Sequence, residues 1–111
     1  MTTSLCAIDD IPDPGARGFE IGEQNVFAVK RDGQIYVYLN SCPHIGIPLE
    51  FLPDDFLDSE QRYILCANHG ALFEIDDGLC VAGPCSGQKL LPVPFTLNNG
   101  VIEIGEIPEG F

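Results

Sequence analysis

Positive charge is scarce in this chain, and long apolar runs are missing altogether. Only five of its 111 residues are lysine or arginine, against 17 aspartates and glutamates, giving a formal net charge of −12. Phosphate backbones and anionic lipid surfaces are recognised by basic patches, so nucleic acid and membranes are disfavoured as partners. No stretch approaches the roughly 18 apolar residues needed to cross a bilayer. The first residues, Met1-Thr2-Thr3-Ser4-Leu5-Cys6, show neither the basic region nor the twin arginines of an export signal. A soluble, cytoplasmic protein is expected. Alanine- or leucine-rich helical repeats, internal repeats and low-complexity tracts are absent as well. Histidine is scarce too, with two in the whole sequence.

What is present reads as strands and turns. At 111 residues the chain is expected to form a single domain over 1–111. A chain of this size buries about two-thirds of its unfolded surface and needs no staple to fold. Nine prolines and twelve glycines imply many turns. The runs 26–30 and 35–39 flank Arg31-Asp32-Gly33-Gln34, and an Asp-Gly pair between β-rich runs is a strong hairpin signal. A second hairpin is expected where Asn98-Asn99-Gly100 separates 94–97 from 101–104. Residues 63–65 and 71–75 are further strand candidates, with weaker ones at 5–8 and 19–21. Short strands at regular spacing predict an all-β sandwich or barrel. The acidic segment 50–60 is expected to be a solvated loop resting on a small apolar foot, with Phe51, Leu52, Phe56 and Leu57 available for it.

Both histidines stand beside cysteines. Cys42-Pro43-His44-Ile45-Gly46 opens one loop and Cys66-Ala67-Asn68-His69-Gly70 opens another. Five cysteines in a reducing compartment point to metal ligation before disulfides. Two thiolates and two imidazoles can hold one tetrahedral metal or one asymmetric iron–sulfur cluster. Zinc is the rival metal, because two cysteines and two histidines are also a structural zinc set, although mixed Cys/His halves are uncommon there. A cluster on Cys42, Cys66, Cys80 and Cys85 is conceivable, but it leaves both histidines unexplained.

A Cys-x-His half followed by a Cys-x-x-His half, each with a trailing glycine, resembles the Rieske [2Fe–2S] signature. In that family one iron carries two cysteines and the other carries two histidines. The resemblance covers about 19–104 and implies an antiparallel β-sandwich or barrel with a small cluster-binding subdomain at approximately 40–86. It implies one [2Fe–2S] cluster per chain, held by Cys42, His44, Cys66 and His69. Neutral imidazoles in place of two thiolates make the oxidised centre neutral instead of dianionic, which raises its potential above that of plant-type ferredoxins. Gly46 and Gly70 let each loop turn sharply toward the sulfides. Gly83-Pro84-Cys85 lies where the family carries a proline-bearing loop over the cluster.

The departures narrow the reading. High-potential members of respiratory complexes carry an extra cysteine in each ligand loop, joined as a disulfide, but Ile47 and Asn68 occupy those places here. Those members also place Ser and Tyr after the second loop, where this chain has Ala71 and Phe73. Fewer donors near the sulfurs destabilise the reduced cluster, so a low-potential centre is expected. Cys80 and Cys85 are read as two reduced, partly buried thiols, with a local redox disulfide between them as the alternative, and Cys6 as incidental.

The resemblance implies a one-electron carrier between a reductase and an oxygenase or other redox enzyme, docking on partners with a basic face. The chain is not expected to be an oxygenase itself, since a mononuclear iron site needs two further histidines. Two alternatives from other classes are the small subunit of a nitrite-reductase-like complex, and a redox- or iron-sensing module in which Cys80 and Cys85 respond to oxidation.

Overall fold

A computed structural model describes residues 3–22, 24–41, 56–58, 60, 62–66, 70–83 and 87–107. Its strands are β1 (Thr3–Ala7), β2 (Gly15–Ile21), β3 (Gln24–Arg31), β4 (Gln34–Leu39), β5 (Tyr63–Cys66), β6 (Ala71–Glu74), β7 (Cys80–Ala82), β8 (Phe95–Asn98) and β9 (Val101–Ile104). A short 3-10 turn, Ile8–Asp10, follows β1, and no α-helix occurs among the described residues. The strands form three antiparallel sheets, ordered β1-β9-β8, β2-β3-β4 and β5-β6-β7. The expected all-β architecture is what the chain adopts.

The sheet β2-β3-β4 is the centre, because both of its faces are covered. Side chains alternate across a strand, so Val26 and Ala28 of β3 face one way while Phe27 and Val29 face the other. Val26, Ala28, Ile35, Val37 and Leu39 join Ile102 and Ile104 of β9, with Ile11 and Val93, in one aliphatic core. Phe27, Val29 and Tyr38 join Phe56, Ile64, Cys66, Phe73, Ile75 and Cys80 in a second. Burial on both faces explains why Val26-Phe27-Ala28-Val29 is apolar without interruption: an alternating pattern belongs to a half-exposed strand.

Turn chemistry sets the registers. Asp32 (φ 52°) and Gly33 (φ 77°) form the β3–β4 turn, and Asn99 (φ 54°) and Gly100 (φ 79°) form the β8–β9 turn. Two successive positive φ values match the right-handed twist of the flanking strands, which is why Asp-Gly and Asn-Gly serve here. The first turn is also capped from outside: the Asp13 carboxylate accepts the amides of Asp32 (2.9 Å) and Gly33 (2.8 Å).

Residues 87–93 stitch the central sheet to β5-β6-β7. The amide of Cys80 donates to the Gln88 carbonyl (2.8 Å) and that of Leu90 to Gly78 (2.9 Å). Further along, Leu39 donates to Leu91 (2.9 Å) and Val93 to Val37 (2.9 Å). Strand details differ from the sequence reading, and β2 starts at residue 15 instead of 19. Residue 8 opens the 3-10 turn instead of ending β1, and β7 is a strand the sequence pattern did not mark. The acidic segment also does more than rest on a small foot. Phe56 is fully buried and stacks on Phe27 with centroids 4.4 Å apart, making it a central core residue. Phe51 and Leu52 lie outside the described residues.

Candidate metal centre

The second ligand loop is the one whose ends the structure fixes. β5 and β6 pair from Tyr63↔Glu74 to Cys66↔Ala71, so Cys66 ends one strand directly opposite the residue that begins the next. The Gly70 amide donates to the Cys66 carbonyl at 2.9 Å, closing the turn, and Gly70 has φ 70°. A side chain at such a φ is strained, so the trailing glycine of the motif has a backbone reason to be there. Cys66 itself is fully buried in the second core, beside Ile64 and Phe73. A buried sulfur without a ligand is a small inert hydrophobe, whereas one bound to iron is a ligand already shielded from water.

Three of the four expected ligands, Cys42, His44 and His69, lie outside the described residues, as do Pro84 and Cys85. Among the described residues no group of three metal-ligating side chains comes together. Of the expected quartet, the structure therefore places Cys66 alone.

The third loop begins in contact with the second. Gly83, at φ 103°, approaches so closely that a Cβ added to it would stand 2.7 Å from the Ala71 Cα and 3.0 Å from its Cβ. No other residue fits there. Gly83 is thus pressed against the partner of Cys66, at the end of the sheet where β5 finishes. Sequence reading marked Gly83-Pro84-Cys85 but not this contact, whose only signal was the glycine itself.

Ala71 and Phe73 are both fully buried. Neither carries a hydroxyl, so the strand leaving the second loop presents no side-chain donor at these two positions. Cys80 is buried too, with its Sγ 3.2 Å from the Ala82 carbonyl oxygen. Tyr38 fastens the sheet from below: its hydroxyl donates to the Ile75 carbonyl at 2.6 Å. Burial pushes the Tyr38 hydroxyl well above the usual tyrosine range, and the nearby Asp77 carboxylate adds to the effect. Cys6 lies away from this region, packed against the aliphatic core; burial raises its thiol against the opposing pull of Arg17.

Comparison with known proteins bears on the same residues. The family described as Rieske [2Fe-2S] domain matches residues 1–100. The ferredoxin component of the alkene monooxygenase system of Xanthobacter autotrophicus is 29% identical over 106 residues, spanning 94% of this chain and 80% of that protein. Apoptosis-inducing factor 3 of Mus musculus is 31% identical over 78 residues, which are 70% of this chain but 12% of that protein. Among solved structures, the ferredoxin of carbazole 1,9a-dioxygenase from Nocardioides aromaticivorans IC177 superposes with a TM-score of 0.75, at 18% identity, over 97% of this chain and 98% of that one. At that identity the last likeness speaks for the fold.

Proposed function

This chain belongs to the Rieske [2Fe–2S] domain family, and from that premise we propose that it is a one-electron carrier serving an oxygenase system, with Cys42, His44, Cys66 and His69 as the cluster ligands. The observation that carries the reading is the family match across 1–100 together with the ferredoxin component related over 94% of the chain. One cluster per chain follows from the family, and it supplies a single electron reversibly at nearly fixed geometry. The buried sulfur of Cys66 and the glycine-closed turn behind it fit that group.

The chain's own residues do the rest. The Cys66↔Ala71 pair and the Gly70–Cys66 hydrogen bond fix the two ends of the second loop, so Cys66 would move little with a change of charge. Low reorganisation is what a carrier needs. Gly83 brings the start of the third loop against Ala71, the residue that pairs with Cys66. Cys42 and His44 furnish the other half of the ligand set from the loop after β4, and we assign residues of approximately 40–86 to a cluster-binding unit within a single domain over 1–111.

The carrier itself is not the catalyst of the reaction it serves: both histidines are committed to the cluster, and none is left for a mononuclear iron. Its partners are a reductase and a terminal oxygenase or other redox enzyme, and its charge of −12 suits a basic docking face on them. No described helix is long and apolar enough to cross a membrane. A cytoplasmic location is part of this proposal, supported by Cys6 and Cys66, which stand as thiols outside any disulfide.

Analysis of the purified protein tests the ligand set. It should contain two irons and two labile sulfides, and its reduced form should give an EPR spectrum with an average g below that of plant-type ferredoxins. A colourless protein holding one zinc would refute the assignment, and so would loss of the cluster in Cys80→Ser under reducing conditions.

A further inference from the structure

One face of the β5-β6-β7 sheet packs into the second core; the other carries an apolar row that joins neither core. Leu65 pairs with Leu72 across β5 and β6, and Leu72 pairs with Ala82 across β6 and β7. All three are half-buried. Between Leu72 and Phe73 the register slips, so that Leu72 opposes Ala82 while Phe73 opposes Cys80. Val81 is the extra residue of this β-bulge, a device that re-aims a side chain at a sheet edge. It is aimed at water, with 44% of its surface exposed. Leu65, Leu72 and Val81 are absent from both cores and from the side chains packed on them.

The row's place is as telling as its composition. Each strand passes from the row straight into the cluster end of the sheet. Leu65 is followed by Cys66, Leu72 is preceded by Ala71, and Ala82 is followed by Gly83, which touches Ala71. On the described segments that carry the row or pair with it, Asp58, Glu60, Glu74, Asp76 and Asp77 outnumber Arg62 and Lys89, and the Arg62 guanidinium is drawn over the Tyr63 ring.

We propose that the row Leu65–Leu72–Ala82, extended by the bulged Val81, is the apolar centre of the docking surface for a redox protein whose contact patch is apolar and ringed by lysine and arginine. Charge selects this occupant. A second copy of the chain would bring another −12 to the same face, and an anionic bilayer would be repelled likewise. An apolar centre supplies contact energy and a charged rim supplies orientation and on-rate. The proposal rests on the carrier reading and adds the side of the cluster from which a partner approaches.

Ferric cytochrome c, a basic haem protein, serves as the probe. Calorimetric titration of the oxidised, cluster-loaded protein at low ionic strength measures docking with no electron exchanged. Val81→Asn should raise the dissociation constant about fivefold to tenfold, as expected for one partly buried aliphatic side chain. Leu97→Asn, at the other large exposed apolar side chain among the described residues (51% exposed, on β8), should leave it unchanged. An unchanged constant for Val81→Asn, or equal losses in both variants, overturns the proposal. The kinetic counterpart uses the reduced protein. One electron passes to the haem, taking its iron from ferric to ferrous while the cluster returns from one ferrous and one ferric iron to two ferric. That rate should fall in Val81→Asn by the same factor, with the rate to ferricyanide, a small acceptor needing no docking surface, retained. If wild type reduces ferricyanide but neither binds nor reduces cytochrome c, the docking surface falls and the carrier reading stands. If it reduces neither, the carrier reading itself falls.

Discussion

The two cores of this molecule share a sheet and little else. On one face of β2-β3-β4 the packing is aliphatic, from Val26, Ala28, Ile35, Val37, Leu39, Ile102 and Ile104, closed by β-hairpins with Asp-Gly and Asn-Gly turns. On the other face it is aromatic and sulfur-bearing, with Phe27 stacked on Phe56, Tyr38 tilted beside them, and Cys66, Phe73 and Cys80 above. The aliphatic half is complete in itself. The aromatic half faces strands of three or four residues, β5 to β7, which are too short to be stable alone and depend on the face beneath them. Rigidity is thereby borrowed from the central sheet and delivered to Cys66 and Gly70, the ends of the second loop.

Substitution of the ligands should separate the halves most sharply. Cys42→Ser or Cys66→Ser should abolish cluster assembly, read as lost iron and sulfide, while β-rich circular dichroism from the central sheet persists. Complete unfolding would show that the metal, and not the aliphatic core, holds the scaffold. Next in size, Phe27→Ala removes the ring on which Phe56 stacks and should destabilise the protein by about 3–5 kcal/mol in denaturant titration. Ile102→Val, in the aliphatic half, should lose only about 0.5–1.5 kcal/mol. Similar losses from such unequal deletions would mean that the aliphatic core is the more sensitive per buried carbon. Gly83→Ala sets a Cβ against the Ala71 backbone. It should loosen the third loop, so that the cluster bleaches faster in air at little change in thermal midpoint.

Smaller effects test the electronics and the anchor. Rieske centres span about −150 to +300 mV, and one without donors at Ala71 and Phe73 should lie at the low end. Ala71→Ser with Phe73→Tyr should raise the potential, and for one electron about 59 mV is a tenfold change in equilibrium. Protein-film voltammetry decides it; a wild-type value well above zero would contradict the low-potential reading. Tyr38, whose hydroxyl is held above its ordinary value of about 10, contributes stability that is complete below that pH and is lost as pH rises further. Tyr38 should ionise above the ordinary tyrosine range in an alkaline absorbance titration, and Tyr38→Phe should flatten the alkaline loss of stability.

Local chemistry made the aliphatic half readable from sequence. Asp32-Gly33 and Asn99-Gly100 specify their turns by φ alone, and the flanking runs specify the strands. The closure of the second motif was equally local, since the Gly70 amide bonds to the Cys66 carbonyl. What escaped was set by distant contact. Phe56 sits in an acidic stretch, and only the ring of Phe27 reveals its burial. β7 has three residues, too few for a period, and takes its shape from β6 and from residues 87–90. The Gly83–Ala71 approach is tertiary and has no pattern along the chain.

The hydrogen bond from Leu39 to Leu91, 2.9 Å long, has one more consequence. It brings together the point where the chain leaves the central sheet and the point where it returns, so residues 40–90, with both ligand loops, form an insertion whose ends already meet. Closing such a loop costs entropy that grows only slowly with its length, and here the scaffold supplies the closure before any metal arrives. The segment is therefore graftable in principle onto any antiparallel pair with the same gap. It must travel with Phe27, Val29 and Tyr38, however, because excising it leaves those three side chains uncovered and turns a carrier into an aggregating half-sandwich.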